Sequence, residues 1–206
     1  MANIFDTIHN KITGFHFPKN PKQVAMKNAI NLLKGNTNII SLETGRIRNP
    51  AWRNSDGNST YFITAAQKIH TLYSLDNDSE NFSGYSGSQA YCEQYLSTQQ
   101  LNKVIFINGN STETIKNIPL SIKFDFVLLD SANDPELIFN EYLAIAPYLN
   151  PIKAIVMVDD VTLPGKKGDT IMPFFKSKGI KTIFYDAKPA DCILAIIENN
   201  FTGIAS

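Results

Sequence analysis

The chain has 206 residues, 43% of them hydrophobic, a length and composition that fit one domain with a real core. Lys+Arg and Asp+Glu are both 19, so there is no electrostatic footprint for bulk nucleic acid or an anionic membrane; a small anionic ligand needs only local donors. Cys92 and Cys192 show no CxxC or Cys/His metal spacing, which argues against a disulfide framework or a zinc site, and both read as buried small hydrophobes.

Residues 1–20 read as a loose N-terminal cap, and the opening MANIFDTIHNKITGF lacks the basic and apolar runs of a signal peptide. No apolar stretch approaches the roughly 20 residues that cross a bilayer, so a cytoplasmic protein is the default expectation. Over 21–34 the spacing of Val24, Ala25, Ala29, Leu32 and Leu33 predicts an amphipathic helix with Gly35 as its stop. The first strand is 38–43, followed by the long loop TGRIRNPAWRNSDG, and Asn58 or Ser59 can cap a helix to about His70. The second strand is 71–76, then a polar, turn-rich stretch and a helix through SQAYCEQYL. Strands follow at 103–108 and 124–130, a helix at 135–148 with Pro135 in its first turn, and a fifth strand at 153–159. Asp169 to Lys178 reads as helical, and the last two strands are 180–186 and 192–198.

The AKPAD loop between those last strands is too short for a parallel crossover, so if they pair they must be antiparallel. Both are rich in Ile, as expected of strands covered on both faces. The pattern predicts an α/β fold, a Rossmann-like three-layer sandwich with a seven-stranded, mostly parallel sheet and a C-terminal antiparallel hairpin. Strand 192–198 should insert beside 153–159, leaving 199–206 as a tail. One domain over 1–206, with 38–198 as its core, is the expected organisation.

In open α/β sheets ligands bind beyond the carboxyl ends of the strands. Those ends carry Glu43-Thr44-Gly45, Asp76-Asn77-Asp78, Asn108-Gly109-Asn110-Ser111, Asp130-Ser131 and Asp159-Asp160. A carboxylate at one strand end is usually a turn or cap, but five polar ends on one rim point to a site. Asp76 can accept hydrogen bonds from both hydroxyls of a ribose. Gly45 and Gly57 suit close backbone approach or an ordinary turn. Ser59 and Thr60, after Asp56-Gly57-Asn58, open a helix whose N–H groups suit a carboxylate or phosphate. Asn110 can read an adenine edge or cap the short 111–117 helix. Asp130, Asp159 and Asp160 can supply oxygen ligands to Mg²⁺, although adjacent residues on a regular strand point opposite ways. His9, His16 and His70 show no metal or triad spacing, and Arg46 and Arg48 are anion contacts or solvated charges.

Taken in order, SLETGRIR with SDGNSTYFITAAQ, LYSLDND, INGNST, FDFVLLDSAND and IVMVDDVTLPGKKG resemble the successive motifs of class I S-adenosylmethionine-dependent methyltransferases. The likeness is to the small-molecule and sugar O-methyltransferase group with a split ETG…DGxST first motif, and it covers about residues 38 to 198. It implies S-adenosylmethionine framed by Glu43, Thr44, Gly45, Gly57, Ser59, Thr60, Asp76, Asn77, Gly109, Asn110, Ser111 and Asp130. It also implies a small-molecule acceptor over the fourth and fifth strands, with Mg²⁺ on Asp130, Asp159 and Asp160 as a candidate second cofactor. A homodimer is among the assembly states to be expected. The sequence departs from the family where many members carry a His or Lys after the fourth strand: here stand Ser131, Ala132, Asn133 and Asp134.

Methyl transfer needs an acceptor placed in line with the sulfonium methyl and relieved of its proton. Asp130 and Asp160 are the candidates for that base. Two other readings compete: a methyltransferase-like nucleoside-binding protein without catalysis, and an NAD-type dehydrogenase. The dehydrogenase is disfavoured, because no compact GxGxxG follows the first strand.

Overall fold

In a computed structural model of the chain, residues 21–33, 35, 38–45, 59–79, 82–162, 166–186 and 191–198 are described. The N-terminal cap, most of the long loop with Arg46, Arg48 and Gly57, the AKPA stretch and the C-terminal tail lie outside them. Apolar runs bounded by polar residues form the strands: β1 (Ile39–Thr44), β2 (Ile69–Asp76), β5 (Val104–Asn108), β6 (Phe126–Leu129), β7 (Lys153–Asp159), β8 (Lys181–Tyr185) and β9 (Cys192–Glu198). They make one sheet in the order β5-β2-β1-β6-β7-β9-β8. A two-stranded ribbon, β3 (Asp78–Ser79) with β4 (Phe82–Ser83), stands apart inside the stretch that the sequence marks as turns.

The strands from β5 to β7 run parallel. β9 lies between β7 and β8 and is antiparallel to both, as the short loop before it requires. β9 is buried along nearly its whole length. β8 corrects the expectation of two covered faces: it is the sheet edge, its residues are half-buried or exposed, and Phe184 is among the exposed apolar side chains.

Helices cover the two faces. α1 (Pro21–Leu32), α2 (Ser59–Ala65) and α3 (Gly84–Tyr95) lie on one; α6 (Pro135–Ile145) and α7 (Gly168–Ser177) lie on the other. Side chains alternate along β6, so Phe126 and Leu128 join Ala25, Met26, Phe62 and Cys92 on the first face. Val127 and Leu129 join Ile138, Tyr142, Ile145, Ile171 and Phe175 on the second. A strand buried on both faces cannot show hydrophobic alternation, which is why FDFVLLD reads as a continuous apolar run.

Element ends differ from the sequence expectation by a few residues. α2 stops at Ala65, not near His70, because Ile69 pairs with Ile39 and draws 69–76 into the sheet. The short helix α4 (Thr98–Leu101), with a capping box from Ser97 to Gln100, is an addition to the expected elements. The 111–117 helix is α5 (Ser111–Thr114) continued as a 3₁₀ turn, and α6 likewise ends in a 3₁₀ turn at Ala146–Tyr148. Among the described residues no helix is long and apolar enough to cross a membrane.

Candidate active site

The carboxyl ends of β5, β2, β1, β6 and β7 lie side by side, so the polar residues that close them form one rim. Parallel pairing sets their level: Asp76 is in register with Asn108, and Thr44 with Leu75 and Leu129. Glu43 is fully buried; its Oε1 accepts from Ser74 Oγ at 2.8 Å and from Thr60 on α2, tying α2 to the first two strands. Asp76 is half-buried at the end of β2, its carbonyl accepts the Gly109 N–H at 2.9 Å, and Asn77 beside it is exposed. Gly45 has φ +78, and a Cβ there would stand 1.9 Å from the Asp130 carbonyl oxygen. Its close approach is therefore to the neighbouring strand end, a seam that only glycine permits.

Beneath the rim sits Glu141, a residue absent from the sequence-derived candidates. It is fully buried on α6 and gathers three strand ends. Thr44 donates to Oε2 at 3.0 Å, Ser131 to the same oxygen at 3.0 Å, and Ser111 to Oε1. Burial pushes its carboxyl above the usual range, and the three hydroxyl donors offset this only in part. Its place on the apolar stripe of Ile138, Tyr142 and Ile145 was the available signal, since a charge on a core-facing stripe needs partners.

At the β6 and β7 ends stands a cluster of charges. Lys167 Nζ donates to Asp130 Oδ1 at 2.6 Å, and Lys22 bridges Asp130 Oδ2 and Asp159 Oδ2, the latter at 2.7 Å. Burial disfavours ionisation of Asp130, but the two ammonium groups outweigh it and hold its carboxyl below the usual range. Burial likewise opposes the charge on Lys22, and the two aspartates overcome it and raise its pKa. Asp159 is pushed up to about 6, chiefly by burial, against the pull of Lys22 and with help from Asp130. β7 ends at Asp159, and Asp160 turns into left-handed backbone at φ +51, a region Asp tolerates better than most residues. The strand has ended at this pair, so the alternation of a regular strand does not govern it. Asp160 is half-buried, and burial raises its pKa.

Several expected ligand contacts are engaged within the fold. Thr44 and Ser111 donate to Glu141, and Thr60 donates to Glu43. Asn110 caps α5, accepting from the Thr112 N–H at 3.1 Å and the Thr112 hydroxyl at 2.7 Å. Ser59 is buried at the start of a helix of only seven residues. Gly57 lies outside the described residues. The expected Mg²⁺ ligand set of Asp130, Asp159 and Asp160 needs correcting. Both oxygens of Asp130 and one of Asp159 are taken by ammonium groups, and no three described His, Cys, Asp or Glu residues are grouped to hold a metal. These residues do not fit a divalent cation. Asp130 as a base meets the same obstacle, because a carboxylate held low by two cations is a weak proton acceptor.

The sheet order, the reversed β9 and the polar rim define a class: the Rossmann-like α/β fold of class I S-adenosylmethionine-dependent methyltransferases. A family model described as a methyltransferase domain matches residues 55–161, just over half of the chain, and the chain belongs to that family of S-adenosylmethionine-dependent methyltransferases. Solved structures of similar fold include a candidate O-methyltransferase from Klebsiella pneumoniae, 14% identical, TM-score 0.63, with 97% of this chain and 91% of that one covered. An O-methyltransferase from Bacillus cereus in complex with SAH is also 14% identical, with TM-score 0.56 and coverage of 93% and 97%. The MycE methyltransferase of the mycinamycin biosynthetic pathway, in complex with Mg, SAH and mycinamycin VI, is 12% identical with TM-score 0.63. That match covers 96% of this chain but 54% of MycE. No curated protein matches the chain in sequence.

Proposed function

We propose that this chain transfers a methyl group from S-adenosylmethionine to a hydroxyl of a small molecule. The cofactor lies over the ends of β1, β2 and β5, and the acceptor over the ends of β6 and β7. The observation that carries this reading is the division of the rim into two halves. One half is Glu43, Asp76 and the Gly109 turn; the other is the aspartate and lysine cluster of Asp130, Asp159, Asp160, Lys22 and Lys167.

The donor set of the first half fits the cofactor: a half-buried carboxylate ending the second parallel strand suits a pair of ribose hydroxyls. Asp76 holds those hydroxyls, while Glu43 and Thr44, held by Thr60, Ser74 and Glu141, frame the turn beside them. When bound, S-adenosylmethionine supplies a methyl group already activated on a positively charged sulfur, so the protein has only to place the acceptor and take its proton. Asp160 is the proton acceptor. Its raised pKa makes it a better base than an ordinary surface carboxylate, and its carboxyl is not tied into the lysine bridges. The O-methyltransferase names of the Klebsiella pneumoniae and Bacillus cereus proteins, and the macrolide bound to MycE, support a small hydroxylated acceptor.

The test is incubation of the full chain with methyl-labelled S-adenosylmethionine and a panel of phenols, catechols and sugars, with bulk ribosomal RNA in a parallel arm. Label in a small-molecule product is expected. Label in RNA alone would contradict the acceptor class.

A further inference from the structure

We propose that the acceptor half of this site carries its own cation, the ammonium of Lys22, where a divalent metal would otherwise bridge the strand ends, and that methyl transfer here needs no metal. The inference rests on the functional reading above and narrows it to a metal-independent enzyme with Lys22 as a positioning residue.

Lys22 touches two carboxylates on two strands at once, the Oδ2 atoms of Asp130 and Asp159. Mg²⁺ bound by those same two oxygens would lie about 2.0–2.1 Å from each, in the gap where the nitrogen stands. Lys167 closes the other side, on Asp130 Oδ1. With Asp130 and Asp159 ionised, the four groups carry no net charge, and a dication added among them would face two ammonium groups. Lys167 has 1% of its side chain exposed and Lys22 12%, so both are built into the molecule and not borrowed from its surface.

Lys22 stands against local electrostatics. It is the second residue of α1, and the first turn of a helix favours anions over cations. What holds it there is tertiary: Ala25, Met26 and Ala29 seat α1 on the core face shared with β7 and β9, so the helix start overhangs the β6 and β7 ends. Asp130 lies 108 positions along the chain from Lys22, so the pairing is a product of the fold.

The experiment uses Mn²⁺ as a spectroscopic stand-in for Mg²⁺, read by electron paramagnetic resonance on the full chain, with SAH binding followed separately by calorimetry. The wild type is expected to leave the free Mn²⁺ signal unchanged, and its methyl transfer should survive exhaustive chelation. Lys22→Ala should bind Mn²⁺ at least on the order of a hundredfold more tightly, the scale for removing a unit charge a few ångströms from a cation inside a protein. If that variant does not fold, Lys22→Gln, which keeps the length and removes the charge, takes its place. A wild type that saturates with Mn²⁺, or that loses activity on chelation and regains it with Mg²⁺, would overturn the proposal. So would a Lys22 variant with no gain in Mn²⁺ affinity. Failure of SAH to bind would instead strike the functional reading and leave the Mn²⁺ comparison readable.

Discussion

Replacing Gly45 by Ala would put a methyl group into the seam between the ends of β1 and β6. The added Cβ would lie 1.9 Å from the Asp130 carbonyl oxygen, 2.3 Å from its carbon and 2.6 Å from Ser131 Cα. All three are backbone atoms, so no side chain can swing away. The backbone at φ +78 adds about 1–2 kcal/mol for any residue with a Cβ, and forced overpacking adds about 1–3 kcal/mol, a loss of about 2–5 kcal/mol in all. Gly179 supplies the control: its φ is +67, yet a Cβ added there would meet nothing within 4 Å, so Gly179→Ala should cost only the backbone part, about 1–2 kcal/mol. Urea denaturation of both variants, with midpoints compared at a common slope, separates the two contributions. Calorimetry should show weaker SAH binding for Gly45→Ala alone, because Thr44 and Asp130 flank the seam. If Gly45→Ala is no less stable than Gly179→Ala, the two strand ends do not meet as described.

Asp76→Ala should keep the fold and weaken SAH binding about ten- to a hundredfold, the scale of hydrogen bonds to a charged group; calorimetry reads it, and unchanged affinity would remove Asp76 from the cofactor half. Glu141→Ala should cost about 2–4 kcal/mol by leaving the hydroxyls of Thr44, Ser111 and Ser131 without their acceptor, measured by denaturant titration. The pH dependence of that site has a definite sign. The folded pKa of Glu141 is raised above its ordinary 4.5, so the folded state holds the proton more tightly and stability falls as pH climbs from 4.5 through the raised value. Glu141→Gln should flatten that fall, and an unaltered profile would place the titration elsewhere. Asp160→Asn should lower kcat by about a hundredfold or more with little change in KM for the acceptor, and a rise in KM with kcat unchanged would exclude it as the base.

The sheet was legible because its signals are local or set by chain length. The five-residue AKPAD loop admits only an antiparallel turn, and the apolar runs at 153–159 and 192–198 became β7 and β9 without adjustment. The edge place of β8 was legible too, since inserting 192–198 beside 153–159 leaves 180–186 outermost; its open faces were not, because Ile183, Phe184 and Tyr185 read as core residues. The rim was legible as a row of strand-end polar residues, because the sheet must bring those ends together. What each residue does there was not. Glu43, Thr44, Ser111 and Asn110 look like ligand contacts in sequence, but partners on other elements, or a helix start, engage their side chains. Lys22 and Lys167 give no local signal, because their aspartate partners are brought near only by the fold. Asp130 and Asp159 read as metal ligands for the same reason, since nothing near them in sequence points to the two lysines that neutralise them.

A crystal structure of the full chain with SAH tests the central claim most directly, because it locates the cofactor without reference to any acceptor. The account predicts the ribose hydroxyls on the Asp76 carboxylate, the adenine beside the Gly109 turn, and the sulfur directed toward Asp130 and Asp160, with Lys22 still bridging Asp130 and Asp159. SAH bound away from the ends of β1, β2 and β5, or a metal ion in the place of the Lys22 ammonium, would contradict it.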